Sequence, residues 1–137
     1  MATEKTLQIK VSVPAGANAN TILMAKIIED PKKGEQSEIL VPKGEIWIID
    51  DIYITSTPSI DVMLYFYKND RKLMTSTPPV STLKVDNPAR PTVQPIGYME
   101  HEKLTVQAVN LAANSGTSAV DITVYAHVKV LVEGEDY

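Results

Sequence analysis

Residues 119–132 read AVDITVYAHVKVLV, and this stretch limits the possible folds more than any other. Val120, Ile122, Val124, Ala126, Val128, Val130 and Val132 occupy every second position, with Asp121, Thr123, Tyr125, His127 and Lys129 between them. That is the period of a half-buried strand, not of a helix. At about 3.3 Å per residue the stretch would run roughly 40 Å, and its β-branched content suits a pleated surface. A strand of that length with one apolar face requires a sheet around it and a second layer beneath.

The rest of the chain supplies strands and turns. Leu7, Ile9, Val11 and Val13 alternate with Gln8, Lys10 and Ser12 before Pro14-Ala15-Gly16, which predicts a first strand over 6–13 and leaves residues 1–5 as a loose arm. Thr21–Ile28 (TILMAKII) is apolar at both parities, the pattern of a strand buried on both sides or packed at an interface. Glu38–Val41 is a short strand ended by Pro42-Lys43-Gly44-Glu45. From Glu45 to Thr55 both faces are again apolar, broken by Asp50-Asp51, so either a β-bulge at the Asp pair swaps the faces or the strand is covered on both sides.

Ile60, Val62, Leu64 and Phe66 alternate with Asp61, Met63, Tyr65 and Tyr67, and Lys68-Asn69-Asp70-Arg71 reads as the turn of a hairpin into residues 72–75. Residues 76–98 contain Pro78, Pro79, Pro88, Pro91 and Pro95. These exclude a central strand and leave room for edge pieces around Thr82–Val85 and Thr92–Gln94. Residues 103–109 alternate once more, a loop at 113–117 returns the chain to the long last strand, and 133–137 (EGEDY) reads as a frayed tail.

Seven or eight strands, turns about every ten residues and no segment that must be helical predict an all-β fold, an antiparallel β-sandwich. A single jelly roll of about eight strands fits best, with its first and last strands side by side. At 137 residues the chain is expected to be one domain. Hydrophobic residues make up 44% of it, yet no apolar run approaches the length of a membrane span, so no membrane insertion is expected. Acidic residues exceed basic ones by 17 to 13 with no Lys/Arg stripe, so no nucleic-acid partner is expected either. MATEKTLQIK lacks the basic and apolar regions of a secretory signal, so the chain is expected either to be made and kept in the cytoplasm, which Met1 favours, or to have been processed before the numbering begins.

Three stretches carry a resemblance: VPKGEIWIIDDIYI (Val41–Ile54), YFYKNDRKL (Tyr65–Leu73) and GYMEHEKLTVQAVNLAANSGTSAVDITVYAHVKVL (Gly97–Leu131). They resemble the middle and end of small single jelly-roll structural proteins of viruses, in particular capsid, turret and decoration proteins of archaeal viruses and phages. The likeness covers about two thirds of the chain and lies in strand-and-turn pattern, not in a catalytic signature. It implies a virion component that associates with itself, as a homo-trimer or homo-pentamer, and with other particle proteins.

Groups that could carry chemistry are few. There is no cysteine, which removes disulfides, thiolate catalysis and Cys-ligated zinc. Two histidines cannot build the metal site of a cupin, and both His101, between Glu100 and Glu102, and His127 read as exposed or interface imidazoles. Asp50, Asp51 and Asp61 are the best oxygen-ligand set for calcium, but no calcium-loop motif accompanies them, and local turn bonding is the simpler role. No nucleophile elbow, phosphate loop or dinucleotide fingerprint occurs, so the expectation is a protein that is not an enzyme and needs no cofactor.

The surplus of apolar strand faces points to an interface between copies, with Trp47, Ile49, Tyr53, Tyr65, Tyr67 and Tyr125 as its candidate residues. The alternative is a carbohydrate- or receptor-binding sandwich module that uses Tyr65, Tyr67 and Trp47 as a stacking platform.

Overall fold

A computed structural model describes residues 2–132. The long alternating stretch is strand β10 (Val120–Val132), and it pairs antiparallel with β1 (Ala2–Val13) along the full length of both, from Ala2 opposite Leu131 to Val13 opposite Val120. The loose arm expected at residues 1–5 is therefore corrected from Ala2 onward. β10 is long enough to give Thr3, Glu4 and Lys5 the partners Val130, Lys129 and Val128, and Lys5 adds a 2.9 Å ion pair to Glu29. Met1 and the expected frayed tail at 133–137 lie outside the described residues.

The remaining strands are β2 (Ile22–Met24), β3 (Lys26–Ile28), β4 (Ile39–Leu40), β5 (Glu45–Tyr53), β6 (Val62–Lys68), β7 (Arg71–Ser76), β8 (Ile96–Tyr98) and β9 (Lys103–Asn110). They form two antiparallel sheets. The first runs β3-β1-β10-β5-β8 and the second β2-β9-β6-β7, with β4 also on β9. Without the short additions β3 and β4, eight strands remain. The first of them pairs with the last (β1 with β10), the second with the seventh (β2 with β9), the third with the sixth (β5 with β8) and the fourth with the fifth (β6 with β7). That nesting is the jelly-roll order the sequence pattern predicts.

TILMAKII is two three-residue strands, because the chain changes sheets at Ala25: β2 belongs to the second sheet and β3 to the first. Leu23, Ala25 and Ile27 are buried, whereas Ile22 and Met24 face outward. In β5 the bulge alternative is the right one. The register with β10 passes from Asp51 opposite His127 to Ile49 opposite Val128, so Asp50 is the extra residue. Trp47 and Ile49 point inward before the bulge, Ile52 and Ile54 after it. A single inserted residue thus puts four large side chains into one core although they sit at opposite parities.

The hairpin falls where expected. Asn69 and Asp70 take φ of 51° and 67°, the left-handed pair that a two-residue turn between twisted strands requires. The two edge pieces expected in 76–98 need correction. Val80–Leu83 forms a 3₁₀ turn with Val80 and Leu83 in the core, and only Lys84 bridges to Ile54. Thr92–Gln94 is not strand, since Pro91 and Pro95 each withhold a donor; the edge strand β8 starts directly after Pro95 and pairs with β5.

The core lies between the sheets, and the buried polar residues Thr77, Asn110 and Asn114 are hydrogen-bonded, whereas the buried Oε1 of Gln36 has no partner among the described residues. Asn114 donates to the carbonyls of Val13 and Ser118, both at 3.0 Å, and accepts from the Gly116 amide at 3.1 Å. Asn110 accepts from the Thr21 amide at 2.8 Å and donates to the carbonyls of Asn18 and Ala112, both at 2.9 Å. Between them the two asparagines fasten the loops at one end of the sandwich.

Candidate functional site

A two-layer sandwich offers two outer faces, and here they differ in chemistry. On the second sheet, strand register aligns Ile22, Val109 and Met63 in one row and Met24, Gln107 and Tyr65 in the next, followed by Thr105 and Tyr67. Ile22 is 67% exposed and Met24 56%. Leu111 beyond the end of β9 and Leu40 on β4 are also exposed. No charged side chain stands on this face of β2, β9 and β6 between Lys103 at one end and Asp61 at the other. Tyr67 donates to Gln107 Oε1 at 2.9 Å, and the Lys72 ammonium lies 4.1 Å from the Tyr65 ring centre. The face is an apolar band with a tyrosine border, and nothing in the described chain covers it.

The outer face of the first sheet is polar over most of its length, with the half-buried Ile46, Ile48 and Leu131 together at one end. Tyr53 and Tyr125, register partners on β5 and β10, stack at 5.4 Å between ring centres and 16° between planes. Beside them His127 Nδ1 lies 2.5 Å from Asp50 Oδ1, and its Nε2 is 3.7 Å from Glu4 Oε1. Asp51 pairs with Arg90 at 3.5 Å. The Arg90–Val93 segment, the bulge and His127 enclose an open hollow of about 510 Å³. The hydrogen bond to Asp50 holds the His127 imidazole above its ordinary pKa, against a smaller opposing effect of burial, and Glu4 and Asp51 push the same way.

The six candidate interface residues divide accordingly. Tyr65 and Tyr67 stand on the second sheet's outer face and Tyr53 and Tyr125 on the first sheet's, so they do not form one patch. Trp47 and Ile49 are corrected: both are fully buried and belong to the core. Trp47 donates its indole N–H to Glu45 at 2.9 Å, and the Lys5 ammonium lies 4.3 Å from its ring. A platform of Tyr65, Tyr67 and Trp47 is removed by the same burial. Tyr98, its register partner on β8, is buried too. Burial, with Glu102 adding to it, pushes the Tyr98 phenol far above its ordinary pKa, and its hydroxyl donates to the Tyr67 carbonyl at 3.1 Å.

The three aspartates do not converge. Asp61 accepts from the amides of Val62 and Ser81, both at 3.0 Å, and from the Ser81 hydroxyl at 2.5 Å, the local turn role expected of it. Asp50 and Asp51 engage His127 and Arg90. Among the described residues no group of three or more His, Asp or Glu side chains is placed to hold a metal ion. His101 is an exposed turn residue with φ of 65°.

Sequence reasoning missed Met63, Val109 and Leu111 as members of the apolar band. The outward parity of Met63 and Val109 is readable from the alternation, but that they are neighbours of each other and of Ile22 shows only once the register of β9 with β2 and β6 is known.

No family model matches the chain. In sequence it is similar to capsid protein VP4 of Sulfolobus polyhedral virus 1, with 28% identity over 104 residues. The match covers 69% of this chain and 58% of that protein, so the chain spans less than two thirds of its relative's length. The resemblance to viral jelly-roll proteins that the strand-and-turn pattern carries is thus met by similarity to a capsid protein of an archaeal virus.

Proposed function

We propose that this chain is a structural, non-enzymatic subunit of a virus particle, in a shell, turret, spike or decoration position, and that it associates with copies of itself through the outer face of the second sheet. The observation that carries this reading is the uncharged band of Ile22, Met24, Met63 and Val109. Similarity to a capsid protein supports the particle setting, and with it a place in the virion beside other particle proteins.

The mechanism is burial. Apolar area removed from water contributes about 25 cal/mol per Å², and a specific contact covers on the order of 800 Å² per partner. A chain of net charge -4 meets its own copy most favourably where it carries no charge. Size-exclusion chromatography with light scattering tests the reading. A defined oligomer, a trimer or pentamer, is expected at micromolar concentration, and a strict monomer would refute it.

A further inference from the structure

The bulge in β5 does more than switch the inward parity. Because Asp50 is the extra residue, Asp50 and its neighbour Asp51 both turn to the outer face, where regular pleating would put one of them in the core. Both stand beside His127, which on its other side meets Glu4 of β1. One imidazole on the central strand therefore hydrogen-bonds a carboxylate of one neighbouring strand through Nδ1 and has a carboxylate of the other at ion-pair distance from Nε2. Only the doubly protonated ring presents an N–H, and a positive charge, to both sides at once.

We infer that His127 is a proton-operated clasp that ties β1 and the β5 bulge to β10 and, through the Asp51–Arg90 pair, holds the Arg90–Val93 segment over the hollow. The groups facing His127 are Glu4 from β1, Asp50, Asp51 and the Tyr53 phenol from β5, Arg90 from the overlying segment, and Tyr125 and Lys129 from its own strand. With His127 protonated, three carboxylates stand among three cations. With it neutral, one carboxylate is unmatched, and Asp50 and Asp51, adjacent on one face, repel each other, which loosens the bulge that carries the Asp51–Arg90 pair. The hollow is where the change is felt, since Asp50, Asp51, Arg90 and His127 all line it.

The sign follows from the direction of the shift. The folded His127 binds its proton more tightly than an unfolded imidazole, whose pKa is 6.5. The clasp is therefore fully closed below about pH 6.5 and is lost as pH rises through the higher folded value.

The chain has two histidines, so an NMR titration of the whole protein resolves each ring, and His127→Gln assigns the signals. The expected His127 midpoint lies above 6.5 and falls in Asp50→Asn, with a smaller fall in Glu4→Gln. Hydrogen exchange supplies the structural arm. After correction for intrinsic rates, amides at 49–52 and at 90, 92 and 93 are expected to exchange several-fold faster above the midpoint than below it, and His127→Gln is expected to abolish that difference. A midpoint at or below 6.5, an unchanged midpoint in Asp50→Asn, or the same exchange difference in His127→Gln overturns the inference. None of these readings depends on association, so the clasp and the particle role stand or fall separately.

Discussion

Trp47 separates two uses of an aromatic side chain. Packed between Tyr98 and Val130 in register, roofed by Lys5 and bonded to Glu45, it holds the centre of the first sheet against the core. Trp47→Ala is expected to cost about 3–5 kcal/mol, because the cavity cannot collapse between paired strands. Tyr53→Ala removes one half-exposed ring of a stacked pair and is expected to cost only about 0.5–1.5 kcal/mol. Urea unfolding of both variants checks the order, and equal costs would place Trp47 wrongly. Asn114→Ala tests a polar contribution: the carbonyls of Val13 and Ser118 would lose their donor in a buried setting, at about 1–3 kcal/mol by the same measurement.

At the scale of the element, β5 rests on one inserted residue, and its sequence makes that testable. Removing Asp50 leaves Trp47, Ile49, Ile52 and Ile54 at regular alternation with one aspartate between, so a bulge-free β5 can still bury all four. Deletion of Asp50 is expected to give a folded chain with a cooperative thermal transition, lower in Tm by several degrees. Deletion of Ile48 brings Trp47 and Ile49 to opposite faces and is expected to abolish that transition; circular dichroism during heating distinguishes the two.

The same strand marks where reading from sequence stops. Paired apolar parities around two aspartates announced a bulge or a doubly covered strand, and choosing between them needed the partner β10, 70 or more residues away. Local pattern made the hairpin turn at Asn69-Asp70 legible, because a two-residue turn leaves its signature in adjacent residues. It could not place β8, since prolines say where a strand cannot be and not where it resumes. For the outward faces the limit was register: TILMAKII betrays its surplus within eight letters, whereas Met63 and Val109 become neighbours of Ile22 only through pairings across the sheet. His127 was legible as an outward residue, but Glu4 and Asp50 as its partners were not.

For the molecule as a whole, the two outer faces divide the work: one is mostly polar, with ion pairs among its own residues, and the other carries the exposed apolar band. If the band is where copies meet, folding and association are linked, and the Tm depends on protein concentration because the folded state alone is drawn into the oligomer. A tenfold rise in concentration is expected to raise Tm by roughly 3–5 °C for a chain of this size. Met24→Glu puts a charge in the middle of the band, on a side chain already 56% exposed, so it leaves the core untouched and removes only the contact. The variant is expected to run as a monomer and to melt at one temperature across the whole concentration range. Added salt should leave the wild-type assembly intact, since the band holds no ion pairs to screen. An assembly that falls apart in salt, or that survives Met24→Glu unchanged, would move the contact to the charged face of the first sheet.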